Sequence, residues 1–278
     1  MSTRSIAFYG KGGIGKTTIA ANLSAALAGA GQRVLHVGCD PKHDSCYQLV
    51  DRREVRTVMD ALQAADGNPL TREQLVMRGR VGVDCIETGG PEAGVGCAGR
   101  GITKMFEVLS EVRLVFDDYD TVVFDVLGDV VCGGFAAPMR LGHAREVYIV
   151  VSGEVMAMWA ANNIARAVVR YQRSGVALGG LIANLRNVPG ELDTLARFSD
   201  ALGAPLLPPI PRDDTNSLAE RVAKTVMEHA PESAAADAYR RLFARIAQTT
   251  PATCVTPTPM DDNGFEAFLS NVRSGATA

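Results

Sequence analysis

Gly10-Lys11-Gly12-Gly13-Ile14-Gly15-Lys16-Thr17 has the spacing G-x-x-x-x-G-K-[ST], set between an apolar run, Ser5 to Tyr9, and a helical pattern that begins at Thr17. Glycines at these positions let the backbone curl until its N–H groups and the helix N-terminus face a polyphosphate. Lys16 brings a point charge to the β- and γ-oxygens, and Thr17 brings a hydroxyl to Mg²⁺. The run Gly10, Lys11, Gly12, Gly13, Ile14, Gly15, Lys16, Thr17, Thr18 is therefore read as a MgATP-binding loop. Two acidic segments follow other apolar runs: Cys39-Asp40-Pro41-Lys42-His43-Asp44-Ser45 and Asp125-Val126-Leu127-Gly128-Asp129. Asp125, closing a buried strand, is the expected outer-sphere holder of Mg²⁺, and Asp40, Asp44 and Asp129 are candidates for orienting water or sensing the γ-phosphate. A single Asp after a strand is more often a helix cap, so this reading rests on several carboxylates converging.

The second chemistry is that of thiols. Of the six cysteines, Cys97 lies in Gly-Gly-Pro-Glu-Ala-Gly-Val-Gly-Cys-Ala-Gly-Arg-Gly and Cys132 in Asp-Val-Leu-Gly-Asp-Val-Val-Cys-Gly-Gly-Phe. Glycine neighbours allow the close backbone approach and N–H donors that an iron–sulfur cluster needs. A 4Fe-4S cube takes four thiolates and only two cysteines have this setting, a count that a two-fold axis completes with the same pair from a second subunit. Cys39, Cys85 and Cys254 are read as buried thiols, and Cys46 leans the same way.

The elements that must position these groups alternate in kind. Apolar runs at Ser5 to Tyr9, Arg33 to Val37, Thr121 to Asp125, Glu146 to Val151, Ala177 to Asn184 and Pro205 to Ile210 are separated by helical stretches, the first from Thr17 to Ala30. Near-continuous hydrophobicity means that both faces of each strand are covered, which predicts an α/β fold with a mostly parallel, doubly wound sheet. In such sheets ligands collect at the carboxyl ends of strands, where the glycine-rich and acidic segments fall. Residues 1–248 are expected to form the nucleotide and iron–sulfur domain, and 249–278 a tail with a short amphipathic piece, Asn263 to Val272, packing on the domain or a partner subunit. The net charge of −3 without a Lys/Arg block argues against a nucleic-acid partner. No apolar run reaches membrane-spanning length and the first residues do not read as a secretion signal, so a cytoplasmic protein without a membrane anchor is expected.

The segments GKGGIGKTT, CDPKHDS, GGPEAGVGCAGRG, DVLGDVVCGGFA, MAMWAANNI, LGGLIANLRN and IPRDD, in this order over about residues 5 to 250, together resemble the nitrogenase iron protein family. The resemblance implies a homodimeric P-loop ATPase that shares one 4Fe-4S cluster between subunits. It would take electrons from a low-potential donor such as ferredoxin or flavodoxin and pass them to a heteromeric nitrogenase-like catalytic component. It implies Cys97 and Cys132 as cluster ligands, and Lys11, Lys16, Thr17, Asp40, Asp44, Asp125 and Asp129 at MgATP. Asn184, Pro211, Arg212 and Asp213 would surround the adenine, and Arg100 matches an arginine that some members carry ADP-ribosylated. Lys11 corresponds to a second, signature lysine, implied to reach the nucleotide of the other subunit. Within the family, His43 and Ala136-Ala137-Pro138 look like the protochlorophyllide reductase donor, whereas Gly94 to Gly101 and Met156 to Ile164 look like conventional nitrogenase donors. That mosaic is most similar to a nitrogenase-like group such as the methylthio-alkane reductase donor. Partition and septum-placement ATPases share the signature lysine but lack the paired cysteine segments, and an iron–sulfur loading scaffold would show closely spaced C-x-x-C pairs, which are absent.

Overall fold

The computed structural model describes residues 3–90, 98–114, 116–128 and 133–275. Cys97, Cys132 and Asp129 lie outside the described residues. Eight strands form one sheet: β1 (Arg4–Tyr9), β2 (Val34–Cys39), β3 (Met77–Arg78), β4 (Asp84–Glu87), β5 (Thr121–Val126), β6 (Glu146–Val151), β7 (Ala177–Asn184) and β8 (Leu206–Ile210), in the order β3-β4-β2-β5-β1-β6-β7-β8. Every neighbouring pair is parallel except β3 with β4. All six residues of β2, of β5 and of β6 are buried, as strands covered by helices on both faces require.

The strand β1 sits between β5 and β6, with β2 to β5 on one side of it and β6 to β8 on the other. Its carboxyl end is thus the point where the winding of the sheet reverses, which is where a ligand crevice opens in this architecture. Helix α1 (Lys16–Gly29) leaves that point directly through the phosphate loop. The alternating apolar runs did predict the mostly parallel, doubly wound sheet and six of its strands. The edge strands β3 and β4 were not predicted, because they span two and four residues and carry Arg78, Asp84 and Glu87.

The tail returns to the domain. Val255 pairs antiparallel with Leu178 of β7, and Asn162 grips the Met260 backbone in both directions, Nδ2 donating to the carbonyl at 2.8 Å and Oδ1 accepting from the N–H at 2.9 Å. The helix Asp262–Gly275 then buries Phe265 and Leu269, with Phe265 edge-on to Trp159 at 5.0 Å between ring centroids. No helix among the described residues is long and apolar enough to cross a membrane.

Candidate functional site

Between β1 and α1 the backbone takes left-handed values at Gly13 (φ 73°) and Gly15 (φ 101°), and Gly10 has φ 144°. Any Cβ at Gly10 would fall on the Val150 carbonyl oxygen, and one at Gly15 on the Asn184 side chain, so the loop is held against β6 and β7 at positions only glycine fills. The Asn184 Nδ2 donates to the Ile14 carbonyl at 2.6 Å, and the Arg186 guanidinium donates to the Gly13 carbonyl at 2.9 Å. Ile14 is buried and anchors the loop to the core. These bonds occupy the Gly13 and Ile14 carbonyls, and the Ile14 N–H closes a turn onto the Lys11 carbonyl at 3.2 Å, so the curl of the loop is fixed from within the chain. The Lys16 ammonium donates to the Lys11 carbonyl at 3.2 Å and is nearly buried, at 6% exposed. Lys11 is half-buried, and its ammonium forms no bond within the chain among the described residues.

Asp125 is the centre of the acidic side. Its Oδ2 accepts from Thr17 Oγ1 at 2.7 Å and from Ser45 Oγ at 2.6 Å, while Oδ1 is buried and has no hydrogen-bond partner among the described residues. A buried oxygen left without a partner costs about 1–3 kcal/mol, a cost a hydrated cation would relieve. Thr17 and Asp125 therefore fit Mg²⁺, the hydroxyl as ligand and the carboxylate holding a metal-bound water. Behind Ser45 stands His36, whose Nε2 is 2.8 Å from Ser45 Oγ and whose Nδ1 is 2.9 Å from Ser24 Oγ. Burial pulls the imidazole down to about 4, against the opposing pull of Asp125, so it is neutral.

Asp40 is half-buried and accepts from the Lys42 N–H at 2.8 Å; burial raises its carboxyl above the ordinary range. Asp44 is exposed, and its neighbour Ser45, not Asp44, makes the bond to Asp125. The segment opens onto a cleft of about 550 Å³ lined by Lys42, His43, Asp44, Tyr47, Ser217 and Arg221, so it faces the helix Thr215–Arg221 that follows β8. Asn184 and Ile210 are paired in the sheet, which brings Asn184 beside Pro211, Arg212 and Asp213 at the same carboxyl edge. Pro211 and Arg212 are exposed, and Asp213 accepts from the Thr215 N–H at 2.8 Å, a bond that with the Thr215 side chain holds its carboxyl below the ordinary range.

The two cysteine-bearing segments meet. A Cβ added at Gly134, two residues after Cys132, would fall on the backbone of Gly99, two residues after Cys97. The Gly90 end of the Cys97 segment packs in turn on Pro41, within the acidic segment after β2, and Gly128 lies beside the Gly12 N–H at Cβ distance 4.0 Å. Residues flanking both cysteines thus contact each other, and their upstream ends contact the nucleotide segments. Arg100 is exposed in the first turn of the helix Ala98–Glu111. Among the described residues no group of three metal-ligating side chains forms. Cys39, Cys46 and Cys85 are buried, and burial pushes the Cys39 and Cys46 thiols up, which disfavours the thiolate that binds metal. Cys254 is half-buried, where full burial was expected; its thiol is pushed up to about 11, chiefly by burial.

Sequence reasoning missed two groups here, His36 and Glu87. The Glu87 carboxyl is fully buried at the end of β4, with Oε1 accepting from the Cys46 N–H at 2.5 Å and Oε2 unpartnered among the described residues. Burial pushes it up to about 8; the Cys46 bond opposes this, and Asp125 and Asp44 add to it. Since this value lies above the ordinary 4.5, the folded chain holds a proton that the unfolded chain releases between pH 4.5 and about 8. Stability is therefore lost as pH rises through that window. Glu87→Gln is expected to flatten the fall in urea midpoint between pH 5 and pH 8; an equally steep fall in the variant would contradict the assignment.

The doubly wound sheet and its glycine loop define a P-loop nucleotide-binding ATPase fold. More narrowly, the family of 4Fe-4S iron sulfur cluster binding proteins, NifH/frxC family, matches residues 4–274, and the chain belongs to that family. Solved structures share the fold at low identity. The septum site-determining protein MinD complexed with Mg-ADP from Pyrococcus horikoshii OT3 is 22% identical with a TM-score of 0.71, over 88% of this chain and 96% of that one. A ParA family ATPase from Chlorobium tepidum TLS is 18% identical with a TM-score of 0.67, over 87% and 97%. Cobyrinic acid a,c-diamide synthase from Mycobacterium smegmatis is 23% identical with a TM-score of 0.60, over 88% and 94%.

Proposed function

We propose that the chain is the ATP-hydrolysing electron donor of a nitrogenase-like two-component reductase, acting as a homodimer with one 4Fe-4S cluster held by Cys97 and Cys132 of each subunit. The observation that carries this reading is the backbone contact of Gly134 with Gly99, which brings the flanks of both cysteines together.

Lys16 and the loop N–H groups bind the phosphates, and Thr17 with Asp125 holds Mg²⁺. Lys11, whose ammonium has no partner in its own chain among the described residues, reaches the nucleotide of the other subunit and offsets charge on the transferring phosphoryl group. Asp40, Asp44 and Asp129 orient water and sense the γ-phosphate, and Asn184, Pro211, Arg212 and Asp213 border the adenine. When bound, the cluster supplies one-electron redox chemistry. The protein's own part is coupling: β5 carries Asp125 at one end of a segment that continues through Asp129 to Cys132, so a change at the phosphates is transmitted along a short stretch of backbone.

The electron comes from a ferredoxin or flavodoxin. The accepting partner is a nitrogenase-like catalytic component, with methylthio-alkane reductase as the favoured system on the mosaic of His43, Ala136 and Ala137 with a nitrogenase-like Cys97 segment. Arg100 is exposed and thus open to ADP-ribosylation. Anaerobic purification tests the cluster directly: about four iron atoms per dimer are expected, from four thiolates on one cube. Iron-free protein after anaerobic reconstitution with iron and sulfide would overturn the assignment.

A further inference from the structure

We infer that His36 is a positioning residue for the metal-holding carboxylate: its Nε2–H fixes the Ser45 hydroxyl so that Ser45 donates to Asp125 Oδ2 and leaves Oδ1 to a hydrated cation. This rests on the proposed MgATP site and deepens it. The observation is a run of four side-chain hydrogen bonds, part-buried at Thr17 and buried from Ser45 to Ser24, that closes into a ring only through the backbone of α1. Thr17 Oγ1 reaches Asp125 Oδ2 at 2.7 Å, Ser45 Oγ reaches the same oxygen at 2.6 Å, His36 Nε2 is 2.8 Å from Ser45, and Ser24 Oγ is 2.9 Å from His36 Nδ1. Thr17 and Ser24 stand seven residues apart on α1, hence on one face of that helix, so the ring starts and ends on the same element. It ties α1, β2, the segment after β2 and β5 together at the carboxyl edge of the sheet.

Proton counting gives the ring one direction. Ser45 has a single hydroxyl hydrogen, and donating it to Asp125 leaves the Ser45 oxygen as an acceptor facing His36. His36 must then carry its proton on Nε2, which makes Nδ1 an acceptor for the Ser24 hydroxyl. Ser24, His36 and Ser45 are each fully buried, so water cannot substitute for a missing partner without opening the core. A side chain without a donor at position 36 would leave the buried Ser45 oxygen unsatisfied and remove the contact that fixes its place, so that Ser45 holds the carboxylate less firmly and the choice of oxygen facing the metal is loosened. Partners of this kind behind a metal site, when removed, weaken metal affinity by about 10- to 100-fold.

The test uses the intact chain and reads the Mg²⁺ concentration that half-activates ATP hydrolysis at saturating ATP. His36→Leu removes the donor; His36→Gln keeps an N–H at similar reach. About a tenfold higher Mg²⁺ requirement is expected in His36→Leu, with nucleotide affinity in EDTA little changed, and recovery to within about twofold of the unaltered chain in His36→Gln. An unchanged Mg²⁺ requirement in His36→Leu, or an equal shift in both variants, would overturn the inference, the second because a role in filling space alone would then suffice. Should His36→Leu fail to melt cooperatively, Ser24→Ala carries the test: about a threefold higher requirement supports the ring, and no shift removes it. An unaltered chain whose hydrolysis needs no divalent cation would instead bring down the MgATP site itself.

Discussion

Lys16→Ala is expected to lose nucleotide binding, whereas Lys11→Ala is expected to keep it and lose hydrolysis. The two lysines stand in one loop but in different surroundings. The Lys16 ammonium is nearly buried and turned back onto the Lys11 carbonyl, within the curl that faces the phosphates. Removing it takes away a charge-assisted contact made inside one subunit, and a loss of about tenfold or more in ATP affinity follows from about 1.5–3 kcal/mol for such a bond. The Lys11 ammonium, unlike its carbonyl, has no bond within the chain among the described residues, which leaves its charge for a group outside. A trans cation on the transferring phosphoryl group is worth about 10³-fold or more in rate where it has been removed from related phosphoryl-transfer sites. Binding by fluorescent nucleotide and turnover by phosphate release separate the two. Equal affinity and equal turnover in Lys11→Ala would reject the trans role.

The second large effect concerns the cluster. Cys97→Ala and Cys132→Ala are each expected to yield colourless protein after anaerobic purification, since each removes two of the four thiolates from a shared site. Cys254→Ala should stay brown, because that half-buried thiol stands next to Val255, paired with β7 and remote from both segments in the fold. Gly134→Val reaches the same end without touching a ligand: its side chain would occupy the Gly99 backbone and force the two segments apart. Iron content and the visible spectrum read all four variants. Full cluster content in Cys132→Ala would sink the ligand assignment, and full content in Gly134→Val would show that the contact is dispensable.

How much of this was legible in the sequence depends on how local each cause is. The phosphate loop was, because its glycines, Lys16 and Thr17 act through spacing alone; Asp125 was singled out only through several acidic segments converging, since a lone Asp after a strand is more often a helix cap. β4 was not: Asp84 and Glu87 bound only two apolar residues, and no periodicity survives in so short a run. Glu87 and His36 were passed over for the same reason, since a polar residue inside a strand shows its purpose only when Cys46, Ser24 and Ser45, far apart along the chain, are brought to it. Asp40, Asp44 and Asp129 were named together as acidic candidates, and Ser45, which makes the bond to Asp125, was not named among them. Asp44 and Ser45 are neighbours in the chain, yet Asp44 is exposed and Ser45 buried, a difference that no spacing in the sequence announces. For the proposed cysteine pair the sequence offered only the flanking glycines; the contact between Gly99 and Gly134 gives those two glycines a packing reason.

Nucleotide is expected to govern electron release, and single-turnover oxidation reads this. The dithionite-reduced chain, freed of excess reductant, is mixed anaerobically with the cluster-bearing protein that co-purifies with it, and its cluster spectrum is followed with MgATP, with MgADP and without nucleotide. Oxidation only with MgATP is predicted, and Asp129→Ala should keep the reduced spectrum yet lose this dependence, because a sensing carboxylate is gone while both ligands remain. Oxidation at the same rate without nucleotide would contradict the account.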